Sequence, residues 1–519
     1  MKAVVTPEEM RIVDATAADR IDQLIERAGA AAARAALAML GGAYGRHVVL
    51  LAGSGNNGAD GRVAAGHLHR RGVHVRIVDI DRRNPAPERI DRCDLVVDAV
   101  LGTGFAGMYV APDVQGSRVL AVDVPSGLDA LSGLVRPGSR VLHAERTVTF
   151  LAWKPGLLFG DGPAYAGAVE VVDIGLSVSD IRVHVLDEER VRSRLPERPR
   201  TAHKWVSAVA VFGGSPGMTG APRLAAHAAM RAGSGMVRIG VPGDLVSGTE
   251  AVGVALPQEH WASTALANLD RVKALVLGPG LGRSRAAMVA VSQLLAHASV
   301  PIVLDGDGLA ALVPHGGGED RFTAAPETDP GMDTALSAGR RAVIDAAARR
   351  SGLSRPVSGT SGARGSRGTI QTIEPSLEAA RDALSGRRVG TTVLTPHDGE
   401  FERITGRAPS HDRVADCRRV AADTGAVVLL KGPTTVVADP TGRVELIIAG
   451  DQRLATAGSG DVLSGIISAL IAQGMSCFEA AACGAHIHGA AAALGLAHGF
   501  VAGDLADLIP RWWAIGSPW

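Results

Sequence analysis

A chain of 519 residues exceeds what one ordinary core holds, so two large units are expected rather than one. Lys and Arg number 53 against 53 Asp and Glu, which leaves no net field for a nucleic acid or an anionic membrane and points to a small-molecule enzyme. The 65 glycines exceed the usual share of roughly 7%, as many strand-to-helix turns would require.

Thr6, Pro7 and Glu9 form an N-cap, a first-turn proline and a capping-box acid, and launch a helical segment through RIDQLIERAGAAAARAALAML. Two helices are therefore expected before the first strand. Runs rich in Val, Ile and Leu follow: HVVLLAG, VHVRIVDI, DLVVDAVLG, RVLAVDVPSG, RTVTFLAW and VEVVDIG. Their apolarity is continuous rather than alternating, with helical patterns between several, which predicts strands buried on both faces of a mostly parallel sheet. RSRLPERPRTAHK, Arg192 to Lys204, is basic and proline-rich and reads as a linker between a unit at 1–191 and one at 205–519. The second unit repeats the pattern in VSAVAVFGG, GMVRIGVP, VKALVLGPG, PIVLDGDG, TTVLTP, AVVLLKG, TTVVAD and VELIIAG, a second, independent α/β layer structure. Between Pro314 and Gly390 the sequence turns polar around SGTSGARGSRGT, with helices expected at Asp333 to Arg350 and Ser376 to Arg387. Its composition predicts a flexible surface insertion.

The four cysteines, Cys93, Cys417, Cys477 and Cys483, form no CxxC pair and read as small buried hydrophobes in a reducing compartment. The start, MKAVVTPEEMRIVD, has no signal-peptide apolar core, and no run reaches the roughly 18 apolar residues of a membrane span, so the cytoplasm is expected.

In both units the unusual loops follow strand ends, where open α/β sheets bind ligands, so two active sites are expected. In the first, Gly53, Gly55 and Gly58 carry the G-x-G-x-x-G spacing of a dinucleotide fingerprint, with Asp79 or Asp81 where a ribose-binding acid would stand. Asn56, Asn57 and Asp60 suit that reading poorly, because an acid at a helix start repels an approaching phosphate unless it merely caps the helix. Three loops, GSGNNGADG, DAVLGTGFAGM and AVDVPSG, would converge. Asn57, Asp98 and Ser126 could hold a hard cation there, and Asp123 is a candidate general acid/base. The alternative is that Asp98 and Asp123 only cap turns.

These three motifs, in this order after two helices, resemble the NAD(P)H-hydrate epimerase family. The resemblance implies a Rossmann-like three-layer sandwich, potassium at Asn57, Asp98 and Ser126, and acid/base chemistry at Asp123. It places the substrate against Asn56, Asn57, Gly58, Ala59, Asp60, Gly102, Thr103, Gly104, Phe105, Ala106, Gly107, Met108 and Asp123. Ala59 stands where the family usually has glycine, and its methyl is expected to narrow the site.

In the second unit, RLATAGSGDVLSGIISALIAQG places the amides of Gly458 to Gly460 at a helix start, where they can bind an anion, with Asp461 beside them as a base for a hydroxyl. An N-cap role explains Asp461 alone equally well. Lys431, Gly432, Pro433, Thr434 and Thr435 offer a cation, hydroxyls and amides to a nucleotide, and no Walker A motif is present. His397 is as readily structural as functional, and His486 and His488, two apart on an expected helix, read as core or surface residues. With GGSPGMTGAPRLAAHAAMRAGSGMV, LGPGLG, LDGDGL and TPHDGEF, this set resembles the ADP-dependent NAD(P)H-hydrate dehydratase family of ribokinase-like fold. The resemblance implies ADP, accompanied by magnesium, at Lys431 to Thr435 and Gly460, and the hydrated nicotinamide near Ala221, Gly280, His397 and Asp461. Trp205 and Ala457 depart from glycines usual in that family.

The fused chain thus resembles a bifunctional repair enzyme for hydrated NADH and NADPH, with ADP as co-substrate and a homo-oligomeric state expected. Two other readings stay open. The second unit could be a small-molecule or vitamin kinase, and the first a non-catalytic binding module.

Overall fold

The computed structural model describes residues 2–105, 107–176, 181–246, 250–313 and 375–515. Six strands form a fully parallel sheet: β2 (His47–Ala52), β3 (His74–Asp79), β4 (Leu95–Ala99), β5 (Val119–Val122), β6 (Arg146–Phe150) and β7 (Ala168–Val172). These are the six expected runs. Their order is β3-β2-β4-β5-β6-β7, so the chain reverses direction across the sheet between β2 and β4. The central strands β4 and β5 are buried throughout, whereas the edge strands β3 and β7 have no fully buried residue.

The alanine-rich helix Ile21–Leu40 covers one face of this sheet and packs so closely on the helix Asn56–Arg70 that a Cβ on Gly29 would strike Val63. Gly41 ends it in the left-handed region at φ 67°, its N–H bonded to the Leu37 carbonyl at 3.1 Å. At the other end of the segment, Thr6 and Glu9 make the expected reciprocal capping box.

Among the described residues the larger sheet has eleven strands, with β11 (Val252–Leu256) at one edge and β1 (Lys2–Ala3) at the other. Its centre is β9 (Ala208–Phe212), β10 (Met236–Pro242), β11 (Val252–Leu256), β12 (Ala274–Leu277), β13 (Ile302–Leu304), β14 (Thr392–Leu394) and β15 (Val427–Leu430), all parallel. β16 (Thr435–Ala438) and β17 (Val444–Ile447) then meander antiparallel. The order β13-β12-β9-β10-β11 places the reversal between β9 and β12.

Five features differ from the sequence expectation. A two-residue strand, β1 (Lys2–Ala3), precedes the two helices and pairs with β8 (Val183–Val185), and β8 pairs with β17. These segments of the expected first unit therefore belong to the larger sheet, and the sheets do not part at residue 191. One apolar cluster also runs across the seam, joining Val4, Leu128, Leu157 and Phe159 to Val185, Val436 and Leu446, so the second layer structure is not independent of the first. β1 and β8 are too short to register as apolar runs, and β11 is broken by Gly253.

The start of the expected linker is helical, within Glu188–Arg194, and Arg194 reaches Glu445 at 2.6 Å. The end of the expected insertion is packed rather than flexible: in the helix Pro375–Leu384, Leu377, Ala380 and Leu384 are buried, and Arg387 donates to the carbonyls of Ala298 and Val300. The remainder, with the helix expected at 333–350, lies outside the described residues. Cys417, Cys477 and Cys483 are buried, Cys93 is half-buried, and all four are free thiols. No described helix is long and apolar enough to cross a membrane.

Candidate active sites

At the reversal between β2 and β4, the loops after both strands line a cavity of about 730 Å³. The glycines of the fingerprint serve backbone packing there: a Cβ on Gly58 would run into the Gly53 carbonyl, and one on Gly53 into the Val100 carbonyl. Asn56, Asn57 and Asp60 face the cavity from the first turns of the helix Asn56–Arg70, as do Gly102, Thr103, Gly104, Phe105 and Met108 from the loop after β4. Gly58, Ala59 and Gly107 are not part of its wall, so the Ala59 methyl does not narrow it, and Ala106 lies outside the described residues. Neither candidate acid of the dehydrogenase reading stands unengaged, although Asp81 is on the cavity wall. Asp79 is exposed and paired with Arg62 at 2.6 Å, while Asp81 accepts from the Arg83 and Asn84 amides of its own turn.

Asp123 follows β5 with φ 67°, a left-handed conformation that costs a side-chain-bearing residue about 1–3 kcal/mol. The strain is held in place by four groups. Lys154 Nζ lies 2.8 Å from Asp123 Oδ1, Thr149 Oγ1 donates to the same oxygen at 3.2 Å, and the Thr103 amide and hydroxyl donate to Oδ2. Lys154 is itself 1% exposed, and also donates to Thr149 Oγ1 and the Phe150 carbonyl. Burial alone would raise the Asp123 pKa, but the Lys154 charge and these hydrogen bonds outweigh it and hold the carboxyl below its ordinary range. Asp123 is thus ionised at neutral pH. Asp60 shows the reverse: burial, then repulsion from Asp123 and Asp14, pushes it up to about 8, so it stays protonated. It does not cap its helix, whose N-cap is Gly55.

Beneath the cavity, Asp98 is fully buried and accepts from Ser126 Oγ at 2.6 Å and the Ser126 amide at 2.9 Å. It faces no cationic side chain among the described residues, and burial raises its pKa. Asn57 Nδ2 donates to the Leu101 carbonyl at 2.8 Å, leaving the buried Asn57 Oδ1 without a partner. Ser126 Oγ also contacts that carbonyl at 3.3 Å. Asn57, Asp98 and Ser126 therefore gather at the Leu101 carbonyl and its loop, with an orphaned acceptor and a buried acid that has no cationic partner, a donor set that suits a hard cation.

In the larger sheet, the loops at the reversal between β9 and β12 are bonded to each other through the Gly214 amide and the Pro279 carbonyl at 2.7 Å. Gly280, at φ 63°, sits so close to Ala221 that a Cβ would come within 3.1 Å of the Ala221 methyl. At the end of β13, Asp305 is buried and takes three charge-assisted bonds: Lys431 Nζ at 2.8 Å, Thr395 Oγ1 at 2.7 Å and Ser464 Oγ at 2.7 Å. Burial raises its pKa less than Lys431 and these donors lower it, so Asp305 is ionised. The helix Ser459–Ala472 starts beside this pair: a Cβ on Gly460 would lie 3.2 Å from Lys431 Nζ. Asp461 does not cap that helix; Gly458 occupies the cap, and burial with repulsion from Asp305 pushes Asp461 up to about 7, the range of a working base.

The other expected contacts fall out differently. His397 is an N-cap, its Nδ1 accepting from the Gly399 and Glu400 amides, with Glu400 closing a capping box; its ring is more than half exposed. Thr434 is buried, and its hydroxyl donates at 2.6 Å to the Leu158 carbonyl of the first half, so that hydroxyl is already engaged. Gly432 and Thr435 remain beside Lys431; Thr435 is half-buried at the start of β16, and its hydroxyl donates to the Gly432 carbonyl at 3.3 Å.

A family model for NAD(P)H-hydrate dehydratase matches residues 209–321 and 377–511, and one for the YjeF-related protein N-terminus matches 21–93 and 79–156. The bifunctional NAD(P)H-hydrate repair enzyme Nnr of Moorella thermoacetica is 32% identical over 528 residues, covering 90% of this chain and 87% of that protein. Its Mycobacterium tuberculosis counterpart is 34% identical, covering 86% and 82%. This chain belongs to the bifunctional NAD(P)H-hydrate repair enzyme family. Among solved structures, the ADP/ATP-dependent NAD(P)H-hydrate dehydratase of Bacillus subtilis, co-crystallised with ATP and Mg²⁺, is 25% identical, with a TM-score of 0.42 over 65% of this chain and 99% of its own.

Four groups in this repair-enzyme chain escaped the sequence reading. Lys154 carried one signal, a lone cation inside the apolar FLAWKPGLLFG. Asp14 lines the first cavity from the helix Pro7–Thr16 and has its pKa raised by burial and by Asp123, but nothing in its sequence neighbourhood indicates this. Asp305 ends an apolar run, a position that could have marked it. Arg413, bidentate to Asp398 and bonded to the Lys431 carbonyl, adds a cation beside Gly432.

Proposed function

We propose that this chain repairs hydrated NADH and NADPH, with the first half interconverting the R and S hydrates and the second dehydrating the S hydrate at the expense of ADP. The observation that carries the reading is a pair of lysine–aspartate couples, Lys154–Asp123 and Lys431–Asp305, each just past the carboxyl ends of strands on one side of its own sheet's reversal and each 2.8 Å long. Two separate charged centres fit two separate reactions.

In the first half, the hydrated carbon bears a hydroxyl next to the ring nitrogen. The nitrogen lone pair expels it as water once Asp60, protonated at neutral pH, supplies the proton. Water then adds to the opposite face of the planar cation while Asp123 accepts its proton, so the atoms balance and only the carbon's hand changes. Lys154 keeps Asp123 ionised for this task. Arg11 and Arg82 on the cavity wall offer charge to the nucleotide phosphates. Asn57, Asp98 and Ser126 would hold a potassium ion, which would neutralise Asp98 and tie the three loops together.

In the second half, Asp461 takes the proton of the substrate hydroxyl as its oxygen attacks the β-phosphorus of ADP, and AMP leaves. The ring nitrogen then expels phosphate, and loss of a proton from the adjacent ring carbon restores the double bond. Lys431, the Gly432 and Thr435 edge of its loop and the amide of Gly460 receive ADP with its magnesium, and Ala221 and Gly280 form the close-packed floor for the nicotinamide. Incubating the protein with mixed hydrate epimers, with and without ADP, tests both halves: full recovery of reduced nicotinamide absorbance with ADP is expected, and epimer exchange alone without it. A fast phase that stops when one epimer is spent would remove the epimerase assignment.

A further inference from the structure

His488 belongs to the helix Cys477–Ala492, is 7% exposed, and no proposed step uses it. Its Nε2 lies 2.8 Å from the carbonyl oxygen of Ser459, the first residue of the helix Ser459–Ala472. That carbonyl can only accept, so Nε2 carries the proton and the ring is in one fixed tautomer. Burial, together with the nearby Lys431 charge, lowers the ring's pKa to about 4, so His488 is a neutral donor throughout the physiological range.

The Ser459 carbonyl and the Gly460 amide are two ends of one planar, trans peptide group, so their C=O and N–H bonds point in opposite directions. A donor that fixes the carbonyl therefore aims the amide. Gly460 stands beside the Lys431–Asp305 couple: a Cβ there would lie 3.2 Å from Lys431 Nζ and 3.9 Å from Asp305 Oδ2. Besides His488, this turn is held by the Ser459 hydroxyl on the Leu454 carbonyl at 2.8 Å and by the Val462 amide on the Gly458 carbonyl at 3.2 Å, neither of which touches the Ser459–Gly460 peptide oxygen. Gly458, at φ 89°, and Gly460 both lack a Cβ, and the first amides of any helix have no intrahelical acceptor.

We propose that His488 is a positioning residue of the dehydratase half, which, by holding the Ser459 carbonyl, aims the Gly460 amide at the phosphoryl group in flight. The proposal rests on the nucleotide reading of that half. Because the amide matters most when charge develops during transfer, its loss falls on kcat rather than on the affinity for ADP.

Two variants of the full chain separate this role from general packing. Asn places its amide where Nδ1 stood and falls short of Ser459, whereas Gln reaches the Nε2 position and keeps the donor. For His488→Asn, kcat of ADP-dependent dehydration should fall at least about tenfold with KM for ADP changed by less than about threefold, the scale of losing an aligned amide donor. Hydrogen exchange in the segment 457–463 should accelerate by a similar factor. His488→Gln should restore both, and epimerisation by the same chains reports that they are folded. Wild-type exchange and kcat in the Asn variant, or a Gln variant no better than Asn, would overturn the proposal. A wild-type protein without ADP-dependent turnover would instead refute the nucleotide reading, and the exchange comparison would still decide whether His488 orders this turn.

Discussion

Replacing Lys154 with Met keeps a long apolar stem in a site that is 1% exposed but removes the only ammonium facing Asp123 at hydrogen-bond distance among the described residues. The Asp123 carboxylate would then remain buried with neutral donors alone, and the Phe150 carbonyl and Thr149 hydroxyl would each lose a partner. Deleting one member of a buried pair costs about 3–5 kcal/mol, chiefly through the stranded charge. The sign of the pH dependence follows. In the native protein the depressed Asp123 pKa contributes stability that is present above the unfolded value of about 3.9 and lost as pH falls through the folded value. In Lys154→Met, burial and the neighbouring acids dominate and raise the Asp123 pKa, so that contribution is present at low pH and lost as pH rises. The acid limb of the epimerisation profile should accordingly move to higher pH, and the thermal midpoint should fall, most at neutral pH. Adding Asp123→Asn removes the stranded charge, so the double variant should regain stability over Lys154→Met without regaining activity. A double variant no more stable than the single, or a single variant with the native acid limb, would refute the argument.

Asp461→Asn should abolish ADP-dependent dehydration and leave epimerisation intact, and the native dehydration rate should rise with pH through about 7 as Asp461 loses its proton, measured as reduced nicotinamide recovered from the S hydrate. Excising 314–374 with a short linker should leave soluble protein with a native-like thermal midpoint. Extending the cut to 390 should lower it by several degrees or more, because it also removes buried Leu377, Ala380 and Leu384 and the Arg387 bonds. Thr434→Val should cost about 1–3 kcal/mol by leaving the Leu158 carbonyl unsatisfied, seen in chemical unfolding, while ADP binding by calorimetry stays within about threefold.

Much of this was legible in the sequence because it rested on local chemistry. The capping box at Thr6 and Glu9, the six apolar runs of the parallel sheet and the oxygen-bearing loops at its reversal all depend on residues close in sequence. What was not legible depends on residues meeting from afar. Lys154 and Asp123 are joined only by the sheet's strand order, Asp305 and Lys431 are 126 residues apart, and Thr434 was read as a ligand contact when it ties the halves together. His397 reads as equally structural or functional, and its partners, the Gly399 and Glu400 amides, come into view only in the folded chain.

The pairing of β8 with β17 decides where this chain can be divided. A fragment starting at residue 205 would bare the outer edge of β17, whose Val444, Glu445 and Leu446 face Val183, His184 and Val185 in register, and would leave Glu445, 3% exposed, without Arg194. An uncovered row of backbone donors and acceptors is a template for intermolecular strand addition, so that fragment should aggregate. A fragment starting before Ile181 carries its own edge guard, and β1 of the severed first half can then dock on it as a donated strand.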